Sequence, residues 1–251
     1  MDHDTDMGGA QQRFPVTRYS AIVRAGSDDQ EVRQQALETI VASYWKPAYK
    51  YLRIKWQASN EDAKDLVQGF FANAIEKKYF ASYDSTKARF QTFFRTCLDR
   101  YVANEKKAAQ RLKRGGGADL LSLDFNGAEE ELALHGIASG LTPEDYFHRE
   151  WVRSLFTSAI QALQQHYQEN GRAVCFKLFE LYDLRYDDSE ASVSYASLAS
   201  EFGLNTIEVT NYLASARREL RKIVLEKLHE ITATEEEFRA EARSLLGVEM
   251  K

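Results

Sequence analysis

Nine lysines and arginines fall between Lys87 and Arg114 against only Asp99 and Glu105, a local excess of seven positive charges in a chain whose formal net charge is -5. Phosphate affinity follows local rather than total charge, so this stretch is suited to nucleic acid although the whole molecule is acidic. The following segment, Gly115 to Thr142, has no lysine or arginine and carries Asp119, Asp124, Glu129, Glu130 and Glu131. Such segregation of sign predicts parts that meet different partners. Far downstream, Thr206, Thr210, Asn211 and Ser215 recur at helical spacing, with Arg217, Arg218, Arg221 and Lys222 behind them. Amides and hydroxyls read base edges and guanidinium groups hold phosphates.

Other chemistries find no support. Cys97 and Cys175 stand far apart in no CxxC pattern and sit among apolar residues, as expected of buried free thiols in a reducing compartment. His3, His135, His148, His166 and His229 show no ligand spacing. No nucleophile and base, phosphate-binding glycine loop or metal cluster stands out, so neither an enzyme nor a cofactor or metal is expected. No run approaches the roughly 18 apolar residues a membrane span requires, and the opening MDHDTDMGGAQQ is polar rather than a leader. A cytoplasmic location and no membrane partner are expected.

The elements that must position these groups read as helices. Leu37, Ile40, Val41, Tyr44, Trp45, Tyr49 and Leu52 form one stripe, which Pro47 is expected to bend or split. Ser59 and Asp62 cap a second helix whose buried stripe is Leu66, Val67, Phe70, Phe71, Ala74 and Ile75, with Asp62, Asp65 and Gln68 in a polar row beside it. Residues Tyr79 to Arg89 mix aromatics with turn formers and predict a loop. A long helix follows, with Phe90, Phe93, Phe94, Cys97, Leu98, Tyr101 and Val102 on one face and Arg100, Lys107, Arg111 and Arg114 on another, ended by Gly115 to Gly117. Thr142-Pro143-Glu144-Asp145 is a strong helix start. No alternating strand pattern of useful length occurs, so the fold is expected to be all-α: two helical domains joined by an acidic linker.

The segment from Ser194 to Val224 reads as a helix-turn-helix hinged at Gly203-Leu204-Asn205, with Leu198 and Ala199 facing inward and Ile207, Val209, Leu213, Ala216 and Leu220 holding the second helix. Its exposed candidates are Thr206, Glu208, Thr210, Asn211, Ala214 and Ser215. A plain helical hairpin with a basic end is the competing interpretation.

Taken in order, DLVQ (Asp65 to Gln68), the basic aromatic helix from Ala88 to Gly117, the acidic linker and the helix-turn-helix resemble the sigma-70 family of extracytoplasmic-function (ECF) type, over about Tyr19 to Leu228. Any one of these motifs is weak; their collinearity is specific. The resemblance implies a tail at 1–18, a sigma region 2 domain at 19–114, the linker at 115–142, a sigma region 4 domain at 143–230 with its helix-turn-helix at 194–224, and an extension helix at 231–251. It implies transcription initiation: binding core RNA polymerase through its largest subunits, and directing it to promoter DNA. Asp62, Asp65, Leu66, Gln68 and Phe71 then become polymerase contacts. Tyr79, Phe80, Tyr83, Phe90 and Phe93, with Arg100, Lys107 and Arg111, would capture and track the opened minus-ten strand. Phe90 and Phe93 equally suit a hydrophobic core. Ser194, Thr206, Thr210, Asn211, Ser215, Arg217, Arg218 and Arg221 would meet the minus-thirty-five element.

Family members are often held by an anti-sigma or other inhibitory protein, although no residue here identifies one. The linker would thread into a basic channel of polymerase, or be a mere tether. The family's recognition helices usually carry basic residues where this chain has Thr210, Tyr212 and Ser215, which implies modest affinity from that helix. A stand-alone helix-turn-helix regulator and a sigma-like adaptor acting through protein partners are the alternatives. The extension, with Phe238, Ala242, Leu245 and Leu246 on one side, either packs on the second domain or engages a partner.

Overall fold

The computed structural model describes residues 20–109, 123–135, 140–185 and 193–247. Among these residues there are ten α-helices and no strand, so the fold is all-α: α1 (Ala21–Arg24), α2 (Gln30–Lys55), α3 (Asn60–Glu76), α4 (Phe90–Ala109), α5 (Phe125–His135), α6 (Pro143–Glu169), α7 (Ala173–Phe179), α8 (Tyr195–Phe202), α9 (Thr206–Glu230) and α10 (Glu235–Leu246). Among the described residues no helix is long and apolar enough to cross a membrane.

The helix starts follow their capping residues. Ser59 accepts from the Asp62 amide at 3.1 Å, and Thr142 and Asp145 close a reciprocal capping box with Pro143 in the first turn. Of the two outcomes expected at Pro47, a split does not occur: α2 runs unbroken for 26 residues. A proline inside a helix costs about 3 kcal/mol or more. Here Tyr44, Ala48, Tyr49, Tyr51 and Leu52 around it are all fully buried, and each large side chain contributes about 1.5–3 kcal/mol by leaving water. Burial therefore outweighs the missing amide bond.

Tyr44 sits at the centre of the main core. Its ring lies 5.4 Å from Phe90, 4.7 Å from Phe94 and 6.4 Å from both Phe147 and Trp151, which joins α2 and α4 to α6. The same buried cluster takes in Val224 and Leu228 of α9 and Phe238 and Ala242 of α10. Where two domains were expected, side chains from either side of the linker thus share one core. A second cluster, built from the end of α6 with α7, α8 and α9, holds the helix-turn-helix through Tyr167, Phe176, Leu198 and Leu213.

Residues 115–142, expected as a linker, contain α5, and its acids meet cations of α2. Glu131 contacts Lys46 at 2.7 Å and Lys50 at 2.8 Å, while Glu129 accepts from Tyr49 Oη at 2.6 Å and Arg53 Nε at 3.0 Å. Lys50 is fully buried and also holds Glu150 of α6 at 2.6 Å, a carboxylate that Arg153 binds from the other side at 2.7 Å. A buried charge is tolerated only when so paired. The acidity of α5 is therefore answered inside the chain.

Candidate functional site

The polar edge of α3 is open at its start. Asp62 and Asp65 are exposed, with Asp62 also accepting from Ser59 Oγ at 2.8 Å, whereas Leu66 and Gln68 are half-buried. Phe71 is not on this surface: it is 3% exposed and packs against Phe70 and Phe94, because its position in the stripe turns it to the core.

The far end of α3 and the middle of α4 wall an open groove of about 370 Å³, lined among others by Asn73, Lys77, Tyr79, Phe93, Arg100 and Tyr101. Gly69 leaves room for the Tyr101 hydroxyl, since a Cβ there would push that side chain aside. Burial pushes the Tyr101 phenol up to about 12, with Glu105 and Tyr79 acting in the same direction, so it remains a neutral donor. Cys97 lines the groove and is half-buried rather than buried; burial raises its thiol against the opposing pull of Arg100. The groove thus offers aromatic faces beside exposed cations, a combination that accepts unpaired bases and their phosphates.

Of the aromatic residues expected to take bases, the structure separates two kinds. Tyr79 and Phe93 are half-buried and line the groove. Phe80 and Phe90 are core residues at 2% and 0% exposure, packed on Phe94 and on each other, so neither offers a face to a base. Residues Tyr79–Ser82 form a short 3-10 turn where a loop was expected, and it turns Phe80 inward. Tyr83 donates to the Ala88 carbonyl at 2.9 Å and is pushed up to about 12 mainly by burial. Arg100 and Lys107 are exposed; Arg111 lies outside the described residues. Asn73, Lys77, Cys97 and Tyr101 were missed as lining groups, although Asn73 and Lys77, like Phe93, Cys97 and Tyr101, are one helical turn apart and so share a face.

The helix-turn-helix is built from α8 and α9. Gly203 ends α8 at φ +66°, a left-handed conformation that side chains disfavour, and Asn205 caps α9 in a reciprocal box with Glu208. Glu208 therefore serves the turn. Thr206, Thr210 and Asn211 are exposed on the first turns of α9, while Ser194 caps α8. Ile207 was expected in the core and is instead 71% exposed, because Val209, Leu213 and Ala216 already complete the buried face. Ser215 turns inward to Tyr167 Oη at 3.3 Å. Arg217 is held by Asp183, Nε to Oδ2 at 3.0 Å and Nη2 to Oδ1 at 2.8 Å, and the Asp183 hydrogen bond raises its already high pKa. Arg218 and Arg221 are exposed and make no ion pair among the described residues.

No family model, curated protein or solved structure matches this chain. The functional reading rests on the residues and their geometry.

Proposed function

We propose that this chain is a non-enzymatic transcription initiation factor of sigma type, which binds core RNA polymerase and directs it to promoters while polymerase performs the chemistry. The observation that carries the reading concerns one helix. At its start α3 offers the exposed acids Asp62 and Asp65, the second of them opening the DLVQ stretch, and at its far end it walls the aromatic and cationic groove. Polymerase would dock on the first, and an unpaired base of the minus-ten strand would enter the second between Tyr79 and Phe93, with Arg100 and Lys107 along the phosphates. The exposed Thr206, Ile207, Thr210 and Asn211 of α9 would meet the minus-thirty-five element, Ile207 by apolar contact with a thymine methyl and Asn211 by hydrogen bonds to a base edge. A cytoplasmic location and an inhibitory protein partner belong to the same reading.

The two DNA elements are about twenty-five base pairs apart, roughly 85 Å along the duplex at 3.4 Å each. Helix α9, at 25 residues, spans only roughly 37 Å. On this reading, simultaneous contact with both elements goes with opening of the α2 and α6 contact on polymerase. Purified chain is expected to co-elute with bacterial core polymerase and to support run-off transcription from cognate promoters. Failure to bind core polymerase would sink the proposal. The adaptor alternative is favoured by one observation, the neutralisation of Arg217 by Asp183; stable core binding with no promoter selection would support it.

A further inference from the structure

The start of α4 is covered by the C-terminal helix. The Phe90 amide, first in α4, donates to Glu237 Oε1 at 3.0 Å, and the other oxygen of that carboxylate accepts from the Ala233 amide at the start of α10, at 2.9 Å. One carboxylate thus joins two helix N-termini, where the positive ends of both dipoles favour it. One turn on, Glu241, 3% exposed, takes Arg89 Nη1 at 2.9 Å. Phe238 and Ala242 anchor the helix in the main core between these acids. Beside them, Glu236 lines an open crevice of about 310 Å³ together with Tyr83, Ser85 and Arg89.

This placement is selective. Glu237 and Glu241 of α10 sit at the start of α4, on the Phe90 amide and on Arg89, while Asp62 and Asp65 of α3 stay exposed. An amide at a helix start beside a guanidinium attracts a phosphate for the same physical reason that it attracts a carboxylate. We infer that α10 is an acidic strap: Glu237 and Glu241 occupy the place of a nucleic-acid phosphate at Arg89 and Phe90, so that strap and DNA strand exclude one another while the polymerase-docking edge stays open. The inference rests on the proposed reading of α4 as the surface for the opened strand. It adds an order of events, polymerase first and DNA second, with strap release between them.

The test uses the full chain and its Glu237→Gln/Glu241→Gln variant. Glutamine keeps the shape and an acceptor oxygen for Phe90 but removes the charge that mimics phosphate. Binding of a fluorescein-labelled single-stranded 20-mer of mixed sequence is read by anisotropy at 100 mM salt, and core-polymerase binding is measured in parallel. The variant should bind the oligonucleotide about tenfold more tightly, as expected when the strap covers about nine-tenths of molecules, with core affinity unchanged. In the wild-type chain, amide hydrogen exchange over residues 237–246 should accelerate at saturating oligonucleotide. That second measurement does not depend on how the variant folds. Oligonucleotide affinity within twofold of wild type, or α10 exchange unmoved at saturation, would overturn the strap. A gain in oligonucleotide affinity without any binding to core polymerase would overturn the sigma reading and leave the strap standing.

Discussion

Replacing Lys50 by Met isolates the electrostatic pin between α2, α5 and α6. Lys50 has no exposed surface, and its ammonium lies 2.6 Å from Glu150 and 2.8 Å from Glu131. Methionine follows the lysine stem, so packing changes little and the charge is what is lost. Glu131, with a side chain 35% exposed, retains Lys46 and water. Glu150, at 1%, retains Arg153 as its one cation and the neighbouring Tyr146 hydroxyl, so the loss of charge compensation falls on that carboxylate. Removing one partner of a buried pair costs about 3–5 kcal/mol, and the surviving arginine places this case at about 3 kcal/mol. For a chain of this size that lowers Tm by about 6–12 °C. The Lys50→Met/Glu150→Leu double variant leaves Arg153, which is 30% exposed, able to turn to water, and should regain about 2 kcal/mol of the loss. Urea unfolding followed by circular dichroism, with an unchanged slope, measures both. A single variant within about 1 kcal/mol of wild type, or a double variant as unstable as the single, would refute the claim that charge burial on Glu150 sets the cost.

Three further outcomes follow from the same geometry. Phe80→Ala should destabilise the fold by about 3–5 kcal/mol in urea unfolding, whereas Tyr79→Ala, at a half-buried position, should cost clearly less stability and weaken single-stranded DNA binding by about 1–3 kcal/mol in anisotropy titrations. Glu129, held low mainly by the Arg53 hydrogen bond, and Glu144, held low mainly by Lys55, favour the folded state at every pH above the ordinary carboxylate value of 4.5; that contribution disappears as pH falls below it through their depressed values. An acid titration should therefore release α5 below that point before global unfolding, read in tryptophan emission because Trp45 packs edge-on against Phe125 of α5 at 5.4 Å. Arg218→Ala and Arg221→Ala should each flatten the salt dependence of duplex binding by about one unit of slope without changing sequence preference, and Arg217→Ala should do less because Asp183 already neutralises it.

Helix starts were legible where capping is local: Ser59 and Thr142 each accept from an amide three residues on, and Asn205, read only as part of the turn, does the same for α9. Buried stripes were legible for the same reason, with Tyr44, Phe70, Phe94 and Trp151 all in the core. Contacts across long stretches of sequence were not. Nothing near Glu150 marks it as the partner of a lysine 100 residues earlier, and Glu237 meets Phe90 at a separation of 147. At the candidate site the sequence does not separate Tyr79 and Phe93, which line the groove, from Phe80 and Phe90, which are buried: Tyr79 and Phe80 are adjacent, and only the 3-10 turn decides which one turns inward. Ile207 misled for a related reason: apolar type suggested core, but the helical phase set by Val209, Leu213 and Ala216 leaves it outside.

Opening of the molecule on polymerase would meet unequal resistance at its contacts. Apart from the buried Lys50 contact to Glu131, the pairs that hold α5 use partly exposed groups, with Arg53 24% and Lys46 22% exposed in their side chains. Such pairs contribute no more than about 1 kcal/mol each and weaken with salt. Helix α6 is different, because Phe147 and Trp151 are buried against Tyr44 and each would bring about 1.5–3 kcal/mol of apolar exposure on leaving. The α5 segment should therefore leave first and reversibly. Separation of α6 from α2 becomes favourable only when another surface covers those aromatics, and on the proposed reading polymerase supplies it. Charge on α5 and α10 then sets which surfaces are shielded before docking, while the aromatic contact of α2 with α6 sets whether the chain opens at all.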